Sequence, residues 1–81
     1  MKTAISERAM AALESAPQGV RRAFYKQLRF LVQNLQHHSL RAKKYDETQD
    51  IWQARVTHDW RFYFTIDGDT YRIQNITSHP K

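Results

Sequence analysis

The sequence predicts an α+β fold in which a helical hairpin packs on one face of an antiparallel sheet. Two patterns support this architecture: residues 52–66 alternate between apolar and polar side chains, and residues 17–36 carry apolar side chains at helical spacing. The pair Asp67-Gly68 is a hairpin signal after the alternating segment. With 81 residues, 41% of them apolar, residues 1–81 can form a single domain around one small core.

The N-terminal half is predicted to be helical, and residues 2–5 can form a short first strand before the helices. Ser6 is a suitable N-cap for a first helix. Pro17 suits the first position of a second helix, because its missing N–H would have no partner there. Residues 39–45 are basic and irregular or extended, and residues 46–50 form an acidic loop. The apolar stripe of the second helix comprises Val20, Phe24, Leu28, Leu31 and Leu35.

The alternating segment predicts a sheet with one apolar face and one polar face, because successive strand side chains point to opposite sides. In the register that pairs apolar with apolar residues, a three-residue loop at residues 57–59 places Arg55 opposite Arg61 and Gln53 opposite Tyr63. Two arginines directly opposite each other repel. We therefore expect an anion to bind between them.

The last strand interrupts its alternation once. If the turn before it consists of Asp67-Gly68, Arg72 pairs with Tyr63. Two isoleucines further along lie three residues apart, so both reach the core only if a β-bulge near Asn75 inserts one residue. With that bulge His79 points to the polar face beside the arginines, and without it His79 points to the apolar face.

The net charge of +5 is concentrated in the middle of the chain. Such a basic block is typical of a surface that meets a polyanion or an acidic protein, although a solvated helix face explains part of it. The chain has no cysteine, no apolar run of membrane-spanning length and no signal-peptide core, so we expect a cytoplasmic protein without membrane contact. Residues 15–45 contain no acid and seven cations: Arg21, Arg22, Lys26, Arg29, Arg41, Lys43 and Lys44.

The polar face offers the groups that RNA cleavage without a metal requires. A base takes the proton of the 2′-hydroxyl, cations stabilise the charge that develops on the phosphate, and an acid protonates the departing 5′-oxygen. Arginine binds phosphate through several donors, and histidine transfers protons near neutral pH. The four histidines lack metal-ligand spacing, so no metal or other cofactor is expected. The candidate catalytic residues are Arg55, Asp59, Arg61 and His79.

Several features together resemble the RelE/ParE superfamily of bacterial type II toxins. They are the order of elements, the HSLRAKKY segment at residues 38–45, the W-x-A-x-V strand, the DWRFYF strand and the terminal histidine. Within the superfamily, the pair Asp59-Trp60 and His79 are most similar to the YafQ-type ribosome-dependent mRNA interferases. The resemblance implies that these three residues take part in cleavage and that His38 matches a further histidine of that branch.

The resemblance also covers both arginines. Arg55 falls where the YafQ-type branch has a histidine and RelE-type members have a basic residue, and Arg61 matches a RelE-type arginine near the scissile phosphate. The resemblance implies three partners: mRNA in the ribosomal A site, the ribosome, and a cognate antitoxin. DNA would be contacted only indirectly, through an antitoxin complex. The residues expected to bind RNA are His38, Arg41, Lys43, Lys44, Gln53, Trp60, Tyr63 and Arg72.

Two departures from the family pattern leave alternatives open. The C-terminal aromatic residue of many active members has no counterpart after His79, and Gln53 stands where RelE-type members have a lysine. One alternative is a catalytically inactive member that binds only RNA or an antitoxin. The other is a DNA gyrase inhibitor like the ParE-type relatives, which share the fold but generally lack the histidine and arginine constellation.

Overall fold

The computed structural model describes residues 1–78, which form five strands, two α-helices and one short 3-10 turn, His38–Leu40. The α+β architecture predicted from the sequence is confirmed, including the first strand. Within residues 1–78, neither helix is long and apolar enough to cross a membrane. The elements are β1 (Lys2–Ile5), α1 (Glu7–Ser15), α2 (Gln18–Gln33), β2 (Lys43–Asp46), β3 (Ile51–Thr57), β4 (Trp60–Asp67) and β5 (Thr70–Ser78).

The five strands form one sheet in the order β1-β5-β4-β3-β2. Strands β3 to β5 are antiparallel neighbours, as the sequence predicts. The structure adds β2, which pairs antiparallel with β3 where an irregular or extended segment and an acidic loop were expected, and β1 pairs parallel to β5 at the other edge. Both helices pack on the apolar face of this sheet, α1 against β5 and α2 against β3. The opposite face is left uncovered by the helices and carries the polar side chains.

The apolar pattern of the two helices predicts their packing well. Ser6 caps α1 as predicted, its Oγ accepting a hydrogen bond from the Ala9 N–H at 3.0 Å. The helix ends at Gln33, three residues earlier than predicted, so Leu35 lies beyond it and is half-buried, whereas the rest of the predicted stripe is buried. Phe24 meets Phe62 of β4 edge-on with centroids 5.4 Å apart. Pro17 is the N-cap of α2 rather than its first helical residue.

The predicted alignment of β3 with β4 is confirmed, but the loop that produces it is different. Arg55 lies opposite Arg61, and Gln53 lies opposite Tyr63. The turn nevertheless has two residues rather than three, because Thr57 pairs with Trp60 and the register shifts by one residue at β3. An extra residue in the strand gives the same core-facing alignment as an extra residue in the loop, so hydrophobicity alone could not separate the two.

The predicted turn between β4 and β5 is wrong by one residue. Asp67 pairs with Thr70, so the two-residue loop is Gly68-Asp69, and Arg72 lies opposite Thr65 rather than Tyr63. Both registers keep the apolar residues on one face, because they differ by two positions. Gly68 has φ +60°, and the first loop position of a type II′ turn requires such a value.

The β-bulge predicted near Asn75 is present. Phe64 pairs with Ile73 and Tyr63 pairs with Asn75, so one residue of β5, Gln74, is inserted between the two pairs. Ile73 and the second isoleucine of the strand are both buried as a result. Beyond the bulge, β5 continues to Ser78, while His79 lies outside the described residues and its predicted orientation remains a prediction.

The two glycines allow one backbone prediction with an internal control. Gly68→Ala is expected to lower the free energy of unfolding by about 1 kcal/mol, because a Cβ is unfavourable at positive φ. Gly19→Ala in the first turn of α2 is expected to raise it by up to about 1 kcal/mol, since no atom lies within 4 Å of the new Cβ. Urea unfolding measures both; equal effects of the two substitutions would contradict the turn assignment.

Candidate active site

Two adjoining pockets near the β3–β4 turn are rich in cations. The first has a volume of about 250 Å³ and the second about 340 Å³, and Arg41 and Arg55 line both. Among the described residues, no aspartate or glutamate lines either pocket. The other lining residues of the first are Lys43, Gln53, Ala54 and Arg61, and those of the second are Lys26, Gln27, His38, Ser39 and Val56.

Arg55 stands between the two pockets and carries an incompletely satisfied guanidinium. Its Nε is buried and has no hydrogen-bond partner in the described part of the chain. Burial lowers the pKa of Arg55, and the positive charges of Arg41 and Arg61 lower this pKa further. Arginine remains protonated at neutral pH, so the cost of this charge is present in the folded protein. A bound anion would relieve it.

Arg61 is held in place by the turn that precedes it. Its Nη1 donates to the backbone carbonyl oxygens of Thr57 at 2.7 Å, His58 at 3.0 Å and Trp60 at 3.0 Å. These contacts fix one edge of the planar guanidinium opposite Arg55. A cation fixed in this way loses little conformational entropy when it binds a phosphate.

Gln27 of α2 connects the helix to the segments that carry Ser39 and Arg55, and both of these residues line the second pocket. Its side chain is 3% exposed, and Nε2 donates to the carbonyl oxygens of Ser39 at 3.0 Å and Arg55 at 2.9 Å. Its Oε1 accepts from the Ser39 hydroxyl at 3.2 Å. Gln27 is not among the residues predicted from the sequence, although a glutamine three positions after Phe24 lies on the core side of the helix and indicates a buried polar contact.

The segment before β2 brings Arg41 to the pockets through an unusual backbone conformation. His37 caps the 3-10 turn, its Nδ1 accepting from the Ser39 N–H at 3.2 Å, and its ring stacks on Phe30 with centroids 3.9 Å apart. Arg41 then adopts φ 47°, which is uncommon for a residue other than glycine. His38, predicted to bind RNA, stacks on His37 and lines the second pocket.

The structure does not bring all predicted residues to this cluster. Lys44 faces the acidic loop, with Nζ 3.0 Å from Asp50. Arg72 forms an ion pair with Asp67 at 2.9 Å, away from Tyr63, because the predicted register of β5 was wrong. Trp60 is half-buried against the hydrophobic core.

Four further predicted residues lie at the first pocket, in the β3–β4 turn or outside residues 1–78. Gln53 Nε2 donates to the Tyr63 hydroxyl at 3.2 Å, so Tyr63 stands at the edge of the first pocket. Asp59 is exposed in the two-residue turn, and its N–H donates to Thr57 Oγ1 at 3.3 Å. His79 lies outside the described residues, so its distance from Asp59 remains a prediction.

Comparison with solved structures identifies the fold. No protein-family model matches the chain, and no curated protein sequence matches it. A YoeB/ParE toxin from Agrobacterium tumefaciens superposes with TM-score 0.82 at 13% identity, covering 99% of this chain and 100% of that one. The toxin of an archaeal RelE-RelB complex from Pyrococcus horikoshii OT3 gives 0.81 at 19% identity, with 99% and 96% coverage.

A third similar structure is YafQ from E. coli strain BL21(DE3), with TM-score 0.77, 11% identity, and coverage of 95% and 91%. All three similarities extend over nearly the whole chain. This chain therefore has the fold of the RelE/ParE toxins.

Proposed function

We propose that this protein is the toxin of a type II toxin-antitoxin pair and a ribosome-dependent endoribonuclease that cleaves mRNA. The observation that carries the proposal is the convergence of Arg41, Lys43, Arg55 and Arg61 on one pocket with no acidic lining residue within residues 1–78. On a fold shared with RelE-, YoeB- and YafQ-type toxins, such a pocket suits a phosphate of the RNA backbone.

In the proposed reaction the cations act on the scissile phosphate. Arg55 binds one non-bridging oxygen, and Arg61 of the neighbouring strand β4 binds a second. Both contacts strengthen as the 2′-oxygen attacks and negative charge grows on the phosphate. Arg41 and Lys43 at the pocket rim bind the neighbouring phosphates.

Proton transfer is assigned to His79, with Asp59 orienting it or sharing the proton. Histidine near its ordinary pKa can take the 2′-hydroxyl proton or protonate the 5′-oxygen that leaves. Asp59 lies in the turn directly after β3, one residue from Trp60. The other proposed RNA contacts are His38 in the second pocket and the Gln53–Tyr63 pair.

We further propose that a cognate antitoxin neutralises the protein. RelE from Pyrococcus horikoshii was solved in complex with RelB, and YoeB from Staphylococcus aureus in complex with YefM. We also propose that the protein acts in the bacterial cytoplasm, where the ribosomes are. The retained alternatives are a ParE-like gyrase inhibitor and an inactive member that binds RNA or an antitoxin.

Expression without an antitoxin separates these functions. The proposal predicts growth arrest with new 5′ ends inside mRNA coding regions, mapped by sequencing of RNA ends. A gyrase inhibitor would leave mRNA intact and induce a DNA damage response. An inactive member would leave growth unchanged. Either of these two outcomes would refute the proposed nuclease.

His79→Ala is expected to reduce mRNA cleavage by about a hundredfold or more, the usual contribution of a general acid or base. The matched control is His58→Ala, because His58 is exposed in the β3–β4 turn and only its backbone carbonyl has a described role. The rate of mRNA cleavage after induction, with protein amounts equalised, measures both. Equal loss of activity in both variants would contradict a specific role for His79.

A further inference from the structure

A groove, separate from the two cationic pockets, runs across the polar face of the sheet and has no role in the proposed phosphate chemistry. Its volume is about 600 Å³, within the range of roughly 300–1,000 Å³ typical of small-molecule sites. The groove begins where the cationic pocket ends: Gln53 lines that pocket, and its hydrogen-bond partner Tyr63 lines the groove. The lining residues include Tyr45, Tyr63, Thr65, Gln74, Asn75 and Thr77.

One wall of the groove is aromatic. Tyr45 is the extra residue at a register shift of β2, between the pairs made by Lys44 and Asp46. Such a shift turns a side chain away from its regular direction. The Tyr45 ring meets Tyr63 edge-on, with centroids 5.0 Å apart, yet Tyr45 remains 61% exposed. A large, mostly exposed ring held by such a contact is a platform on which a planar ligand can stack.

A second part of the groove lining, beside Tyr63, offers neutral hydrogen-bonding groups at the bulge of β5. Gln74 Nε2 donates to Thr65 Oγ1 at 3.2 Å, which fixes the amide across the strand pair. Ser6 secures the bulge itself: its N–H donates to the Ile73 carbonyl and its Oγ donates to the Gln74 carbonyl, each at 3.0 Å. Asn75, the next residue and the cross-strand partner of Tyr63, also lines the groove.

The charge of the groove differs from that of the cationic pocket beside it. Arg8 is its one charged lining residue among those described, and the others are aromatic, amide, hydroxyl or aliphatic. A nucleobase is planar and uncharged and carries donors and acceptors along its edge, so it matches a groove lined by tyrosines and by side-chain amides. A phosphate would bind instead among the cations.

We propose that this groove binds one unpaired nucleobase of the RNA, next to the phosphate held by Arg55 and Arg61. Tyr45 provides the stacking platform, and the amides of Gln74 and Asn75 contact the base edge. The groove thereby sets a base preference beside the cleaved bond. This assignment of the ligand rests on the proposed ribonuclease function.

Binding of short RNA can be followed by NMR on the isotope-labelled full chain. The probes are inorganic phosphate and single-stranded trinucleotides whose riboses are 2′-O-methylated and therefore resist cleavage. Phosphate is expected to shift signals around Arg41 and Arg55 only. Trinucleotides should also shift the side-chain amides of Gln74 and Asn75, to different extents for different bases. If trinucleotides shift only the signals that phosphate shifts, or shift no signals at all, the proposal is overturned.

Tyr45→Ala is expected to weaken trinucleotide binding by roughly fivefold or more, the lower end of what one lost base–aromatic stack costs. Its matched control is Tyr25→Ala, because Tyr25 is similarly exposed, at 44%, but lies on α2 away from the polar face. Unchanged affinity in Tyr45→Ala, or equal loss in both variants, would overturn the proposal.

The same variants separate this proposal from the nuclease assignment. If the native chain leaves mRNA intact in cells yet binds trinucleotides through Tyr45, the nuclease assignment fails and the base site stands. If the native chain cleaves mRNA and Tyr45→Ala keeps both its trinucleotide affinity and its spectrum of cleavage sites, the base site fails alone.

Discussion

Arg55→Met is expected to abolish mRNA cleavage while the protein becomes no less stable. The substitution removes the charge that binds the scissile phosphate, and the loss of an arginine that acts on phosphoryl transfer lowers rates by roughly a thousandfold or more. The guanidinium is already unfavourable in the free protein, since burial, Arg41 and Arg61 all lower its pKa. Because the Arg55 side chain keeps contact with solvent, removing its charge should change the free energy of unfolding by under about 0.5 kcal/mol, the range of ordinary surface substitutions.

The comparison needs two controls, with cleavage and urea unfolding measured on each variant. Arg22→Met removes an exposed arginine of α2 and should leave cleavage nearly unchanged. Arg55→Lys keeps a charge but loses the planar fork, so its activity should fall between those of the native chain and Arg55→Met. Full activity of Arg55→Met would remove this residue from the site. Unfolding of Arg55→Met would instead show that Arg55 has a structural role.

Gln27→Met is expected to lower the free energy of unfolding by about 2 kcal/mol or more, because two part-buried carbonyl oxygens each lose a hydrogen-bond donor at about 1–3 kcal/mol. Those oxygens belong to Ser39 and Arg55, so the substitution also loosens both walls of the second pocket. Methionine has a similar length and volume, so the effect of a cavity is small. Cleavage should therefore fall even at temperatures where the variant stays folded.

Gln33→Met is the matched control, since Gln33 is an exposed glutamine of the same helix. Urea unfolding gives the stability of both variants, and mRNA cleavage below the melting temperature gives their activity. A change of under about 0.5 kcal/mol in Gln27→Met, the range of ordinary surface substitutions, would contradict the role of this amide. Loss of stability with full activity would show that Gln27 supports the fold but not the pocket.

The sequence was most informative where side-chain alternation was compatible with only one alignment of neighbouring strands. Arg55 opposite Arg61 followed from placing Phe62 and Phe64 in the core, and the structure confirms it. The bulge near Asn75 followed in the same way from two isoleucines at odd spacing. In both cases a shift by one residue would have exposed apolar side chains, so the hydrophobic effect determines the alignment.

The prediction was wrong where two strand registers placed the same residues in the core. The registers of β5 that place Arg72 beside Tyr63 or beside Thr65 differ by two residues and keep every side chain on its face. The backbone of Gly68 and the ion pair of Arg72 with Asp67 accompany the observed register. Turn geometry and hydrogen bonding decided this register, and neither follows from hydrophobic periodicity.

The sequence by itself thus determined the layer architecture, the apolar and polar faces of the sheet and the facing pair Arg55 and Arg61, because alternation of side chains is a local property. The tertiary structure decided which distant cations join that pair. Arg41 reaches it through a left-handed backbone after the 3-10 turn. Lys26 lines the second pocket together with Arg55, because α2 packs across β3. These contacts depend on how α2 and the following segment pack on the sheet, which Gln27 fixes through its hydrogen bonds to Ser39 and Arg55.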